Sequence, residues 1–466
     1  MTPQEAPNPL VLSELRDRYD ELLSGPYLES TQEHIERAIA QRRLFFAGNP
    51  ICQVLRPMFL DGRTYHSVLA AAELVSRGLT ILAWHLAREE SLRRELGLGP
   101  LEESLLGLEP GAPSEVMGRL DGFLSGAGKL CFIEYNSMAS GIVDNDDLGA
   151  AFAAAPILQT LGKRYHLRSV PVKGVLLDAV LAIYRRQSGE GARPPGVAIV
   201  RSGPPELFGL LESELGKAME ALAAGGCAIR YAAPEQLEPK QGMIYVGDMR
   251  VDMVLVLDWP SFLLTRKAGD FFFRALREGA VCLANSVEAI LLRGNKLALA
   301  LLSDPRYAGL FTPEIAAALQ RHMPWTRPVR EGWTTWQSEE IDLIPFVLAR
   351  REELVLKPAS EYGGKGVVLG WACDDEAWQA ALRAALHAPH VVQARVAIGS
   401  ERFPSMVDRV LRQDEYSFDL CPAIWDNQHA SGCMVRISRG GLMNMSSGAG
   451  SQVPLFLVDT SHVGIG

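Results

Sequence analysis

At 466 residues the chain exceeds what one hydrophobic core usually serves, so two or three domains are expected; 48 % apolar and 22 % charged residues are the composition of an ordinary soluble globular protein. Lys plus Arg total 46 against 55 for Asp plus Glu, and the net charge of −9 argues against a general nucleic-acid binder or an anionic-membrane binder, while leaving room for a local basic pocket. The seven cysteines (Cys52, Cys131, Cys227, Cys282, Cys373, Cys421, Cys433) are scattered without a CxxC pair, so neither a disulfide framework nor a zinc site is expected and the thiols read as reduced.

The N-terminal stretch MTPQEAPNPLVLSELRDRYDELL is acidic and amphipathic, with no basic n-region or long apolar h-region. No window approaches the ~18 uninterrupted apolar residues of a membrane span, so a cytoplasmic protein with no membrane partner is expected. Helical periodicity covers residues 10–47 and then SVLAAAELVSRGLTILAWHLAREESLRREL. The short apolar run KLCFIEYN (129–136) reads as a buried strand, after which AAFAAAPILQTLGKRY and KGVLLDAVLAIYRRQ return to helical spacing. SGEGARPPG (188–196) is the linker candidate. Beyond it GVAIVRS, CAIRYA and MRVDMVLVLD read as strands, with ELFGLLESELGKAMEALAAGG as a helix among them; such alternation implies parallel pairing. From about residue 275 the order is strand (AVCLA), helix (SVEAILLRGNKLALALLSD), helix (TPEIAAALQRH) and a loop, MPWTRPVREG. The chain then runs through LVLKPASEYGGKGVVLG, the helix DDEAWQAALRAAL, the strand HVVQARV and the antiparallel-looking EYSFDLCPAIWD and ASGCMVRISRG.

Three stretches carry chemistry. In LVLKPASEYGGKGVVLG (354–370), Lys357, Glu361, Gly363, Gly364 and Gly366 interrupt two strand segments. Glycines let backbone N–H groups approach phosphate oxygens, lysine supplies a point charge, and a glutamate can hold Mg2+ between phosphates. The same residues suit a hairpin with a flexible turn and a surface glutamate. In FIEYNSMASG (132–141), Glu134 and Asn136 stand two apart on a strand and share a face, a pair of hard oxygen donors or a solvated strand end. The acidic run Asp144, Asp146, Asp147 reads as a solvated loop. In CMVRISRGGLMNMSSGAGSQVP (433–454), alternation puts Arg436 and Ser438 on one face and Arg439 on the other, ahead of a small-residue loop. Such an arginine can stabilise an oxyanion, and a polar hairpin reads equally well. GAGKL (126–130) lacks the flanking Gly and the Ser or Thr of a phosphate loop, since Phe123 and Leu130 stand there. His66, His85 and His166 have no metal spacing and read as structural, whereas His322 could line a pocket; Trp325, Cys421 and Cys433 read as core.

The order of these pieces is more telling than any one. IEYNS, then LKPASEYGGKG, then VQARV, then VRISRGG before the small-residue loop resembles the circularly permuted ATP-grasp ligases, the eukaryotic glutathione synthetase and glutathionylspermidine synthase-like group. That group has an early E-x-N strand and a late K-P-x-x-E-G-G-G loop with a magnesium glutamate four residues after the lysine, as Glu361 follows Lys357. The resemblance runs over roughly residues 115–455, and its motifs cover some fifty of them. It implies a mixed α/β (α+β) ATP-grasp fold, circularly permuted, with an inserted Rossmann-like unit. The implied division is a helical N-terminal region at 1–190 contributing the E-x-N strand, an α/β substrate unit at 191–275 and a nucleotide-binding domain at 276–466.

Carried over by position, the resemblance implies Glu134, Asn136 and Glu361 as Mg2+ ligands, and Lys357 with Gly363, Gly364 and Gly366 as the phosphate grip. It implies Gln393, Ala394 and Val396 at an adenine hinge, Asp414 or Glu415 near the ribose, and Arg119 and Arg436 as catalytic arginines. The family's earlier ATP lysine falls where this chain has Cys282; Lys296 on the following helix is the substitute candidate. The implied cofactors are ATP and Mg2+, and the implied reaction joins a small carboxylate to an amine through an acyl phosphate. A thiol or hydroxyl acceptor and a catalytically silent nucleotide-binding scaffold are the alternatives, and a homodimer is left open.

Overall fold

The computed structural model describes residues 9–46, 48–109, 114–137, 140–189, 191–201, 216, 218–256, 262, 270–361, 364–440, 443 and 450–459. Helix Pro9–Leu23 carries Leu15, Tyr19 and Leu23 at four-residue spacing, all fully buried, and helix Leu28–Gln41 buries Thr31, Ile35, Ala38 and Ile39 in the same manner. The long helix runs Gly62–Arg88, not 67–96: Asp61 caps its start by accepting the Thr64 N–H at 2.9 Å, and Glu89 leaves helical geometry. Gly78 brings this helix against helix Pro313–His322, because a Cβ there would lie 3.2 Å from a Leu319 methyl. By length and composition the long helix could cross a membrane, yet half of its most apolar window is buried inside the protein.

A six-stranded antiparallel sheet forms the centre. Its path is Gly450–Val453, His429–Ser438, Val410–Trp425, Met117–Leu124 and Leu130–Ser137, with Ser400–Val407 also pairing Val410–Trp425. Facing it is a four-stranded antiparallel sheet ordered Thr326–Pro328, His390–Ala394, Leu354–Pro358, Val368–Leu369. A third sheet, ordered Cys282–Leu283, Met253–Val256, Gly196–Val200, Ala228–Ala232, is parallel throughout, as the alternation beyond residue 196 implies. The last described strand, Leu455–Asp459, lies between Met58–Asp61 and His166–Ser169. Sequence-distant ends of the chain are therefore woven together.

Several elements differ from expectation for local reasons. Pro156 splits the expected 150–165 helix into Asp144–Ala153 and Pro156–Leu161. The acidic run heads the first of these and is not a loop; Asp146 accepts the Val172 and Lys173 N–H groups, and Asp147 pairs with Lys173 at 3.1 Å. MRVDMVLVLD is two strands, Met249–Val251 and Met253–Val256, which belong to different sheets. Buried Asp252 marks the break, accepting the Gly196 N–H at 2.8 Å and pairing with Arg193 and Arg250. The segment expected as loop around MPWTR contains the edge strand Thr326–Pro328, a position where proline leaves no ladder bond unmade. Most of the helix expected over 206–226 lies outside the described residues.

A buried charge network ties the central sheet to the helices. Glu115 and Arg293, 0 % and 1 % exposed, pair at 2.6 Å. Glu115 also accepts from the hydroxyls of Tyr135 and Ser137, and Arg293 donates to Ser76 on the long helix and to Asn427. Two neighbours of Glu134 and Asn136 on their strand are thereby anchored from behind. Removing one partner of a buried ion pair strands the other charge away from water. Glu115→Ala is expected to lower the unfolding free energy by about 3–5 kcal/mol, read by denaturant melts, and the double change Glu115→Leu, Arg293→Met to recover most of that loss.

Candidate active site

Strand Leu130–Ser137 does not alternate simply. Gly122 pairs Phe132 and Asp121 pairs Glu134, so Ile133 is an extra, bulged residue. The bulge turns Phe132 into the core while Ile133, Glu134 and Asn136 all line one cleft. Gly122 is required opposite it, since a Cβ would sit 2.8 Å from the Phe132 ring and 3.0 Å from the Leu420 carbonyl. In GAGKL, residues 126–129 form the exposed turn of this hairpin and Leu130 starts the strand.

The cleft lies between the two antiparallel sheets and has a volume of about 210 Å³. It brings together Arg119, Glu134, Asn136, Lys357, Gly364, Gln393, Ala394, Val396 and Arg436, from five stretches of chain. Apolar side chains, among them Phe123, Ile133, Val355, Leu369, Trp371 and Ile398, make up much of the rest. Trp371 is covered by the Arg395 guanidinium, 4.2 Å from the ring centre.

Lys357 is 6 % exposed; its Nζ donates to Gln393 Oε1 at 2.7 Å and to the Ile133 carbonyl at 3.4 Å. Burial brings its pKa down to about 8, the nearby Lys296 ammonium adding to the effect and Glu134 and Asp121 working against it. Lys296, the substitute suggested for the missing lysine, does reach this site. Asn295 caps the helix Lys296–Leu302 and sets its first residue, whose Nζ lies 2.9 Å from Glu134 Oε1 and 2.5 Å from the Glu361 carbonyl oxygen.

Other expected residues are placed differently. The Glu361 carboxylate is not among the groups lining the cleft; the residue is half-exposed and its Oε2 lies 3.5 Å from Lys365 Nζ, because the backbone carbonyl, not the side chain, is turned to Lys296. Glu415 is exposed on a hairpin strand, bonded to Ser400 Oγ at 2.5 Å, and also lies off the cleft; Asp414 pairs with Arg439. Gly363 lies outside the described residues, as does most of the small-residue loop at 444–449. Gly364 and Gly366 adopt φ of +75° and +71°, and a Cβ on Gly366 would meet Pro358 at 2.8 Å. The Ala394 and Arg395 N–H groups, part of the expected adenine hinge, already donate to the Trp325 and Glu353 carbonyls. Trp325 packs on Trp336 and Phe346, and His322 Nδ1 donates to the Leu130 carbonyl at 3.0 Å; both make structural contacts.

Two aspartates that sequence reasoning missed organise the arginines. Arg119 grips Asp121, two residues along its own strand, at 2.6 and 3.1 Å. Arg436 grips its cross-strand partner Asp419 at 2.9 and 2.6 Å and reaches Asp121 at 2.8 Å. Burial alone would raise the Asp121 pKa, but the two guanidiniums hold its carboxyl well below the usual carboxylate range. The signal was present in the i, i+2 spacing of Arg119 and Asp121; Asp419 could be found only from sheet register.

Among the described residues no group of three or more His, Cys, Asp or Glu is disposed to hold a metal by itself. Glu134 and Asn136 still supply two adjacent hard donors, and the Asn136 Nδ2 is buried with no hydrogen-bond partner among the described residues. Amide oxygen and nitrogen are interchangeable at that position by a side-chain flip. Magnesium keeps water and substrate phosphates in its shell, so this pair fits an ion that arrives with a polyphosphate.

No family model matches the sequence, and none of the curated proteins matches it. Among solved structures, the glutathione synthetase-like effector GSS30 from Globodera pallida, in its apo form, superposes with a TM-score of 0.57 at 12 % identity, covering 97 % of this chain and 98 % of its own. A protein assigned as a gamma-glutamylcysteine synthetase from Methylobacillus flagellatus gives a TM-score of 0.42 at 11 % identity, over 82 % and 88 % of the two chains. The first likeness extends over nearly the whole length, and the chain therefore has a mixed α/β, glutathione synthetase-like fold.

The lowered Lys357 pKa has a linkage consequence. Below about pH 8 the group is charged both folded and unfolded and its burial cost is fully present; as pH rises from about 8 to the unfolded value of 10.5 only the unfolded chain keeps the proton, and that cost disappears. Lys357→Met is expected to raise the ligand-free melting temperature at pH 7, corresponding to up to about 3 kcal/mol, with the gain fading through that window. Melts at stepped pH check the sign.

Proposed function

We propose that this protein is an ATP-dependent ligase that joins a small carboxylate to an amine, releasing ADP and phosphate. The observation that carries the reading is the meeting of Glu134, Asn136, Lys296 and Lys357 with the Arg119–Asp121–Arg436–Asp419 cluster in one cleft between two sheets. Four cations and three carboxylates leave one net positive charge there. That suits a polyphosphate only if further positive charge comes with it. A Mg2+ ion held by Glu134 and Asn136 would supply it, screening the phosphates and the charge that develops on transfer.

The chain's own residues do the rest. Lys357 and Lys296 hold the phosphates, and the apolar wall with Trp371 accepts the base. The substrate carboxylate attacks the γ-phosphorus and ADP leaves; the amine then attacks the acyl carbon, loses its proton, and phosphate departs. Arg119 and Arg436, locked by their aspartates, present oriented N–H donors to the acyl phosphate and the tetrahedral oxyanion without having to reorganise. The glycine turn at Gly364 and Gly366 is the element that would open and close over the nucleotide, excluding water that would hydrolyse the acyl phosphate. The order of the Glu134 strand before the Lys357 loop fits the circularly permuted ATP-grasp arrangement.

A second reading, a nucleotide-binding scaffold without turnover, draws support from the Glu361 carboxylate lying off the cleft. A coupled ADP-release screen over acid–amine pairs separates the two, with product mass separating amide formation from transfer to thiol or hydroxyl. Substrate-dependent ADP release is expected, falling at least about 100-fold in Glu134→Ala as a donor to the phosphate-bound cation is lost. Release that is absent for every pair, or equal in the variant, rejects the ligase.

A further inference from the structure

Gln393 was expected to meet adenine through its backbone, but the chemistry of its side chain is the more informative. The residue is 2 % exposed, and each end of its amide faces a partner of one kind only. An ammonium can only donate, so the amide atom 2.7 Å from Lys357 Nζ is the oxygen. A carbonyl can only accept, so the atom 3.3 Å from the Ile133 oxygen is the nitrogen, which also donates to Thr326 Oγ1 at 3.1 Å. The Thr326 hydroxyl spends its own proton on the Pro324 carbonyl and is left as an acceptor. One amide orientation satisfies every partner.

In that orientation Gln393 touches three strands besides its own. Lys357 and Thr326 belong to its two neighbours in the four-stranded sheet, whereas Ile133 is the bulged residue of the opposite sheet, next to Glu134. The Ile133 carbonyl receives both Gln393 Nε2 and Lys357 Nζ. We propose that Gln393 is a positioning residue whose side-chain amide clasps the two sheets through Ile133 and holds the Lys357 ammonium in place for the anionic end of a bound nucleotide. Only the identity of that anion rests on the ATP-dependent reading.

The charged groups facing Lys357 are Glu134 from the opposite sheet, Lys296 from the helix beside it and Asp121 from the strand paired with Glu134. None changes in a Gln393 variant, so altered titration of Lys357 reports on the amide alone. The full chain without nucleotide, as wild type, Gln393→Leu and Gln393→Glu, is labelled competitively with acetic anhydride at stepped pH, and Lys357 is quantified by peptide mass spectrometry. A hydrogen bond to the charged form favours it, so the half-titration point is expected to fall in Gln393→Leu and to rise by about one unit or more in Gln393→Glu. A Gln393 side chain that does not face the Lys357 ammonium would move neither, and the fall in Gln393→Leu is what separates an amide that holds the charge from one that only packs. ATP affinity by calorimetry at pH 7 is expected to weaken about tenfold in Gln393→Leu. Superimposable labelling curves, or unchanged ATP affinity in the leucine variant, overturn the proposal. Shifted curves in a protein that binds no ATP uphold the clasp and reject the ligase instead. The isosteric Gln393→Glu keeps the test decisive if the leucine variant does not fold.

Discussion

Two ammonium groups, Lys296 and Lys357, are buried close to one carboxylate, Glu134, which pairs with the first and acts electrostatically on the second. Burying a cation is costly, and two close together repel. The cost is met in part by Glu134, by the Glu361 and Ile133 carbonyls and by the Gln393 amide. The cost that remains shows in the lowered Lys357 pKa, of which burial is the largest cause and the Lys296 ammonium a smaller one. A site that is imperfectly satisfied when empty gains most when the complementary charge arrives.

The arginines are treated in the opposite way. Arg119 and Arg436 meet Asp121 and Asp419 in short, multiply bonded pairs, so that end of the cleft is nearly neutral. The effect is orientation: planar guanidiniums held by carboxylates at two or more N–H groups are fixed in place. Under the proposed function, the lysine end would hold a polyphosphate and the arginine end would stabilise a transient acyl group. The Glu115–Arg293 network fastens the Glu134 strand to the long helix through Ser137 and Ser76.

The readable and unreadable parts of the sequence divide along physical lines. Short apolar, β-prone runs marked the strands Leu130–Ser137 and His390–Ala394, and period-3.6 patterns marked the helices Lys173–Ser188 and Asp375–Ala385, each of which buries one face. Pattern failed where a single residue altered the local rule, as Pro156 and Asp252 did. Polar and charged residues in strand context pointed to Glu134, Asn136, Lys357 and Arg436, which do share one cleft. The Glu361 and Glu415 carboxylates lie off the cleft, Asp121 was legible only in its i, i+2 spacing from Arg119, and Asp419 and Trp371 carried no signal of their own.

The sequence by itself determined the alternation of strands and helices, the parallel pairing beyond residue 196 and the polar residues set at strand ends, all properties of local periodicity and residue chemistry. Tertiary structure alone decided which of those polar groups meet. The bulge at Ile133 chooses the face that Glu134 presents, cross-strand register joins Arg436 to Asp419, and the approach of two sheets brings Lys357 to a carbonyl more than 200 residues away. Such contacts depend on register and on the packing of whole sheets, and a string of residues encodes these only through the fold.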